Sequence, residues 1–416
     1  MEFVKKVIVG NDILQVVRIR PFLLMMLSQF FSQLAFNMQH FVLIFIIYGL
    51  TRSNTAVSAV ILSFTIPAVL FSLISGVHVD RWDKRKILFS TNIIRGILIL
   101  LFLVPGLHVG FMYTLTFLIA LATQFFIPAS SAITPLLIPR KLIMSANSIL
   151  YLGVYGTIFM GYILAGPLLI LLGKTYTIFL LASLFFISTF FILFIKPKNY
   201  LDSKEVLPRP KKSKNSDLSF FKEFREIFPF IKKTRKVLRA LVVLTIAQAI
   251  IFMFAVLGPG YVSTILNVAI ENLSLILIAP AALGMVFGAF ILGGIGKKLE
   301  FRMLSAIGFV LSGIIFILFP IGGKVTLYLP IVIALSVVVG FAISLIFIPG
   351  HATIQTETSE RLRGRIYGLL NALTGAVSFL PVVLAGGLAD LFGVGSVVSG
   401  VGILMLIISV FFFVFA

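Results

Sequence analysis

Twelve stretches of this chain are apolar over roughly the 20 residues that a helix needs to cross about 30 Å of bilayer hydrocarbon. They are Phe22–Leu50, Thr55–Val79, Ile87–Leu107, Val109–Ile138, Ser145–Leu172, Tyr176–Ile195, Ala240–Leu266, Leu273–Gly296, Met303–Pro320, Val325–Ile354, Ile366–Leu391 and Val394–Ala416, here spans 1 to 12 in chain order. Each is continuously apolar, without the in–out alternation of a barrel strand. A segment surrounded by lipid must satisfy its own backbone hydrogen bonds, which selects the helix. The charge content agrees: 12% of residues are charged, against about 25% in soluble domains. The expected fold class is therefore an all-α membrane protein of twelve transmembrane helices.

A net charge of +20 raises nucleic acid as a partner, but the placement of the charge argues against it. With both termini cytoplasmic, 30 of the 34 Lys and Arg fall in the N-terminal tail or the cytoplasmic loops. Arg52, Lys174 and Lys324 fall outside, and Arg95 lies within span 3. This is the positive-inside bias, and it predicts a multi-pass protein of the cell membrane with a basic inner face beside anionic lipid. Cysteine is absent, which excludes disulfides and thiolate metal sites. Residues 1–20 are mixed polar and basic, and the apolar run after them is too long for a cleavable signal, so span 1 is expected to serve as an uncleaved anchor.

The longest polar stretch, 196–239, separates an N-terminal bundle (1–195) from a C-terminal bundle (240–416). It carries 14 Lys and Arg against 5 Asp and Glu. Within it Phe220, Phe221, Phe224, Ile227, Phe228 and Ile231 recur at helical spacing, which predicts an interfacial amphipathic helix, with Pro229 kinking or ending it. A docking site for a soluble partner is the competing reading. The halves resemble each other. Phe126-Ile127-Pro128-Ala129 recurs as Phe347-Ile348-Pro349-Gly350, and Leu164-Ala165-Gly166 as Leu384-Ala385-Gly386, at offsets of 221 and 220 residues. Both halves run in the same sense, so the repeat is parallel, and such repeats place a binding site at the interface of the halves.

The loop after span 2 reads Gly76-Val-His-Val-Asp80-Arg81-Trp82-Asp83-Lys84-Arg85-Lys86. Gly76 would allow close helix approach. Asp80, at the membrane boundary, suggests a specific partner such as a helix N-terminus. The segment resembles the signature loop of the major facilitator superfamily, departing from it at Asp83, where glycine is usual, and at Lys84, where arginine is. The second-half counterpart, Gly293 to Arg302, has Lys297 in place of Asp80. Ser145-Ala146-Asn147-Ser148, Gly166-Pro167 and Arg363-Gly364-Arg365-Ile366-Tyr367-Gly368 resemble the branch that holds macrolide-efflux-like and enterobactin-exporter-like proteins. The resemblance implies two parallel-repeat six-helix bundles. It also implies a cytoplasmic gate in which Asp80 meets the start of span 11 near Gly364 and Arg365, while Arg81 or Arg85 pairs with Glu357 or Glu360. Gly76, Asp80, Arg81, Lys84, Arg85, Glu357 and Arg365 are the gating candidates.

Span 1 carries Gln29, Gln33, Asn37 and His40 on one helix face. Polar side chains in lipid are costly, so this face should look onto protein or a watery cavity. In the superfamily it resembles, the first helix lines the central cavity; interhelical hydrogen bonding is the alternative. Gln124, Gln248 and Asn371 are weaker cavity candidates. Arg95, about 12 Å into span 3 at 1.5 Å per residue, should either snorkel to the inner surface or meet a carboxylate or anionic ligand. No Asp or Glu lies in the middle of a span; Asp80, Glu357 and Asp390 sit near helix ends.

These features point to a secondary active transporter that exports hydrophobic or amphiphilic small molecules by alternating access, with protons as the candidate coupling ion. A monomer without cofactor or metal is expected. A transporter of lysophospholipid or other lipids, or an uptake permease, is the alternative. An intramembrane enzyme is a remote one: His40, His78, His108 and His351 lie on separate elements, and no nucleophile or nucleotide-binding motif occurs.

Overall fold

The structure is a computed structural model that describes residues 12–139, 142–195, 229–295, 300–321 and 328–414. Among them there is helix and no strand, and eleven helices are long and apolar enough to cross a membrane. Spans 1 to 4 are the helices Arg20–Thr51, Asn54–Arg81, Lys84–Leu100 and Val109–Ile133. Spans 5 and 6 together form Ile143–Leu193, 51 residues that contain a sharp turn. There Gly173 adopts φ 71°, a left-handed conformation that favours glycine. The Thr177 hydroxyl reaches back to the carbonyl of Leu168 at 3.2 Å, a separation impossible along a straight helix. Eleven helices thus hold the twelve expected crossings. Spans 7 to 12 are Arg235–Thr264, Ala279–Ile295, Phe301–Leu318, Tyr328–Glu357, Glu360–Phe392 and Val394–Val414, and a π-helical turn, Ser274–Ile278, leads into span 8.

The chain divides into two compact units, Met1–Leu43 with Ser63–Arg209, and Ile44–Leu62 with Pro210–Ala416. The end of span 1 and the first part of span 2 therefore pack with the C-terminal helices. In the first unit, Phe22, Met25, Leu88, Phe126, Ala129 and Ile192 share one buried cluster. In the second, spans 8 and 10 cross at glycines. A Cβ added to Gly284 would lie 1.9 Å from the Val337 carbonyl oxygen, and one on Gly340 1.8 Å from that of Ala281. Lipid is as apolar as these side chains, so close backbone packing rather than water exclusion holds such helices together.

Most of the linker, including Phe220 to Phe228 of the expected amphipathic helix, lies outside the described residues. Residues 229–233 are helical, so Pro229 stands at the start of a described turn. Ile231 is buried against Val237, Leu241, Ile354 and Ile366.

Candidate functional site

Span 1 presents two polar faces. On the first, Gln29 and Gln33 are half-buried, and Gln33 Oε1 has no hydrogen-bond partner among the described residues. Asn37 is buried where span 5 crosses: a Cβ on Gly161 would fall 2.7 Å from Asn37 Cβ. The His40 ring sits edge-on between Phe36 and Phe64, with centroids 4.4 and 3.9 Å away, and its Nε2 has no partner among the described residues. A buried polar atom without a partner costs about 1–3 kcal/mol. Gln33 and His40 therefore carry unmet hydrogen-bonding capacity that a bound molecule could satisfy.

The second face, which the sequence reading missed, carries Ser28, Ser32 and Gln39, all fully buried. Ser32 joins a network around Arg95, which is likewise fully buried. The Arg95 guanidinium donates to Ser32 Oγ at 2.9 Å, to Thr123 Oγ1 at 3.5 Å, to the Thr91 carbonyl at 3.3 Å and to Asn92 Oδ1. Asn92 Nδ2 donates in turn to Ser188 Oγ at 2.8 Å. The guanidinium carbon also lies 4.4 Å from the ring centre of Phe126 and 4.8 Å from that of Phe185. Desolvated contacts of this kind contribute about 2 kcal/mol or more. Arg95 thus neither snorkels nor meets a carboxylate; neutral hydroxyls, amides, a carbonyl and two aromatic faces hold it. Gln124 is buried and donates to the Ala120 carbonyl of its own helix at 3.3 Å. Gln248 is half-buried and Asn371 exposed.

Of the gate candidates, the structure describes the surroundings of only some. Asp80 and Arg81 end the span 2 helix, and their side chains lie outside the described part, as does that of Glu360. Among the described residues, a Cβ on Gly76 would meet nothing within 4 Å. Asp83 is the N-cap of span 3, accepting from Arg85 N at 2.9 Å and Lys86 N at 3.2 Å. That explains why a carboxylate is useful where the family loop has glycine. Lys84 Nζ donates to the Trp82 carbonyl at 3.1 Å. The Arg85 guanidinium donates to the Ile192 carbonyl at 3.1 Å and to that of Leu193, capping span 6. Glu357 pairs with Lys236 at 2.8 Å, across the start of span 7. Arg365 is half-buried.

Among the described carboxylates, Asp390 accepts the most hydrogen bonds, a role its position in the sequence does not signal. Asp390, in the last turn of span 11, accepts from Ser53 Oγ at 2.6 Å and Asn54 N at 2.8 Å. It also accepts from Asn54 Nδ2 and Thr55 N, each at 3.0 Å. It therefore caps the N-terminus of span 2, where unsatisfied N–H groups and the helix dipole favour an anion. Around it, Ser58 Oγ donates to the Val382 carbonyl at 2.8 Å, and Tyr48 Oη lies 2.9 Å from Ser263 Oγ. The Ser-Asn-Thr run at positions 53–55 is a readable helix start; a partner some 335 residues away is not.

The sequence profile of the Major Facilitator Superfamily matches residues 25–380. The chain belongs to this superfamily. It is thus a multi-pass membrane protein of the major facilitator fold and a secondary transporter, in a family of carriers rather than enzymes. Among characterised relatives, it is 25% identical over 378 residues to the multidrug efflux pump Tap of Mycolicibacterium fortuitum, covering 85% of each chain. It is 24% identical over 396 residues to the uncharacterised MFS-type transporter YfmI of Bacillus subtilis, covering 93% of this chain and 94% of that one. Solved structures share the fold at low identity. A point mutant of the nucleoside transporter NupG matches with TM-score 0.73 and 15% identity, covering 94% of this chain and 100% of that one. A bacterial homologue of the lysosomal transporter Spinster, inward-facing and unoccupied, matches with TM-score 0.67 and 13% identity, covering 95% of each.

Proposed function

We propose that this carrier exports hydrophobic or amphiphilic small molecules, with both termini cytoplasmic and with the Gln29, Gln33 and His40 face of span 1 in contact with cargo. The observation that carries this reading is the state of Arg95. It is the one cation within the described interior of the first unit, and neighbours in the same unit engage it on every side. It is therefore not available to an anionic cargo. The described carboxylates of the spans stand at helix ends, with Glu357 closing span 10 and Asp390 in the last turn of span 11. What remains for cargo is aromatic, amide and imidazole surface, which suits apolar molecules with a few hydrogen-bonding groups. The relationship to a multidrug efflux pump supports the same direction of transport.

The test is ligand stabilisation of purified protein across lipophilic cations, macrocycles, lysophospholipids, nucleosides and short peptides. Binding to the native state raises the melting temperature by mass action. The proposal expects stabilisation by lipophilic compounds, reduced in Gln33→Ala and His40→Ala and intact in Arg95→Met. Stabilisation confined to nucleosides, peptides or organic anions would overturn it.

A further inference from the structure

Along the first unit, spans 3 and 4 leave a surface slot that the transport reading does not use. It encloses about 1110 Å³ and runs from Trp82 and Lys86 at one end to Leu98 at the other. That volume lies slightly above the roughly 300–1,000 Å³ typical of small-molecule sites. Its walls are Phe89, Ile94, Leu98, Leu118, Leu121 and Phe125. The two hydroxyls in it are already satisfied: Ser90 and Thr91 both donate to the Ile87 carbonyl, at 3.2 and 2.7 Å. An occupant of the slot therefore needs no hydrogen-bonding groups along its length. Ile94 and Leu118 are exposed, so the slot opens sideways rather than into the bundle core.

The length and the polarity of the two ends identify the occupant. From Ile87 to Leu98 the wall extends roughly 16 Å at 1.5 Å per residue, close to the ~15 Å of one leaflet's half of the hydrocarbon. The mouth is basic. Lys84, Arg85 and Lys86 open span 3, and Lys86 is exposed, whereas the nearby Asp83 carboxylate turns onto the Arg85 and Lys86 backbone N–H groups. Trp82, 51% exposed and stacked on Phe125 at 6.2 Å, stands at the same level, as tryptophans do at a membrane interface. We infer that this slot is a binding site for one anionic phospholipid of the cytoplasmic leaflet. An acyl chain lies between spans 3 and 4, and the headgroup phosphate lies against the exposed Lys86. The leaflet assignment rests on the proposed topology.

Trp82 is the single tryptophan of the chain, so its fluorescence reports on this mouth alone. The protein is reconstituted in phosphatidylcholine vesicles, and Trp82 quenching is titrated with chain-brominated phosphatidylglycerol or chain-brominated phosphatidylcholine. A preference for the anionic lipid of roughly fivefold is expected for each cation engaged. Lys86→Glu should reduce the preference to near unity. Ser90→Phe, which fills the slot, should weaken quenching by both lipids while leaving the melting temperature unchanged. Equal quenching by the two lipids overturns the site. So does an anionic preference that survives Lys86→Glu, which would mark a general attraction to the basic face. Lys86→Cys separates the topology from the slot: its labelling by an impermeant maleimide only in inside-out vesicles supports the cytoplasmic leaflet, and labelling only from the opposite side overturns that assignment.

Discussion

Replacing Asp390 with alanine removes four hydrogen bonds from the first residues of span 2. Both Asp390 and Thr55 are solvent-exposed, so the loss is scaled as that of a helix N-cap and not as that of a buried ion. Such a loss costs about 0.5–2 kcal/mol, which is roughly a 2- to 30-fold change in the equilibrium for parting spans 2 and 11 at this end. Cysteine chemistry reads it directly, because the native chain has none. Ser58 is buried, 2% exposed, against the Val382 carbonyl and beside Gly386. In Ser58→Cys protein, labelling by an impermeant maleimide should accelerate by that factor when Asp390→Ala is added. Asp390→Asn should fall between, since its amide still accepts from some of these donors but sets an N–H against the others. The reasoning is refuted if labelling is unchanged. It is also refuted if Asp390→Ala lowers the melting temperature without accelerating labelling, which would make the carboxylate a plain helix cap.

Arg95→Leu should lower stability by about 1–3 kcal/mol, because it strands buried partners, and leave cargo KM unchanged; a thermal melt with transport kinetics checks both. Gly340→Leu should prevent recovery of folded protein, since its Cβ would lie 1.8 Å from a backbone oxygen, whereas Gly153→Ala, with open space around it, should be neutral; size-exclusion profiles in detergent decide. Lys236→Ala should change the melting temperature little, because the pair with Glu357 has side chains 69% and 34% exposed and such pairs contribute about 0–1 kcal/mol. If transport is proton-coupled through His40, His40→Gln should abolish cargo-driven pH change in proteoliposomes while leaving downhill cargo movement.

The membrane helices were legible because a bilayer imposes a length and a polarity that can be counted along the chain. The turn between spans 5 and 6 was legible too, since Gly173 and Lys174 interrupt the apolar run. Partners distant in sequence were not legible. Arg85 caps span 6 and Glu357 meets Lys236, because local packing brings those groups within hydrogen-bonding range. A resemblance to a loop motif carries the residue types and not their partners in this chain. Arg95 shows the same limit. Composition says that a buried cation needs compensation, but Ser32, Asn92, Thr123, Phe126 and Phe185 come together from spans 1, 3, 4 and 6 only in the folded bundle. The role of Asp83 could have been read: an Asp followed by Lys-Arg-Lys at the start of an apolar run is a helix N-cap signal.

The central claim is export of apolar cargo, and its most direct measurement is directional flux. Everted membrane vesicles containing the protein are energised and given a fluorescent lipophilic cation, a nucleoside or a dipeptide. The account predicts that the lipophilic cation accumulates inside everted vesicles, that Gln33→Ala with His40→Ala slows it, and that nucleoside and dipeptide are ignored. Accumulation of nucleoside or dipeptide, or movement of the lipophilic compound only out of everted vesicles, would contradict it.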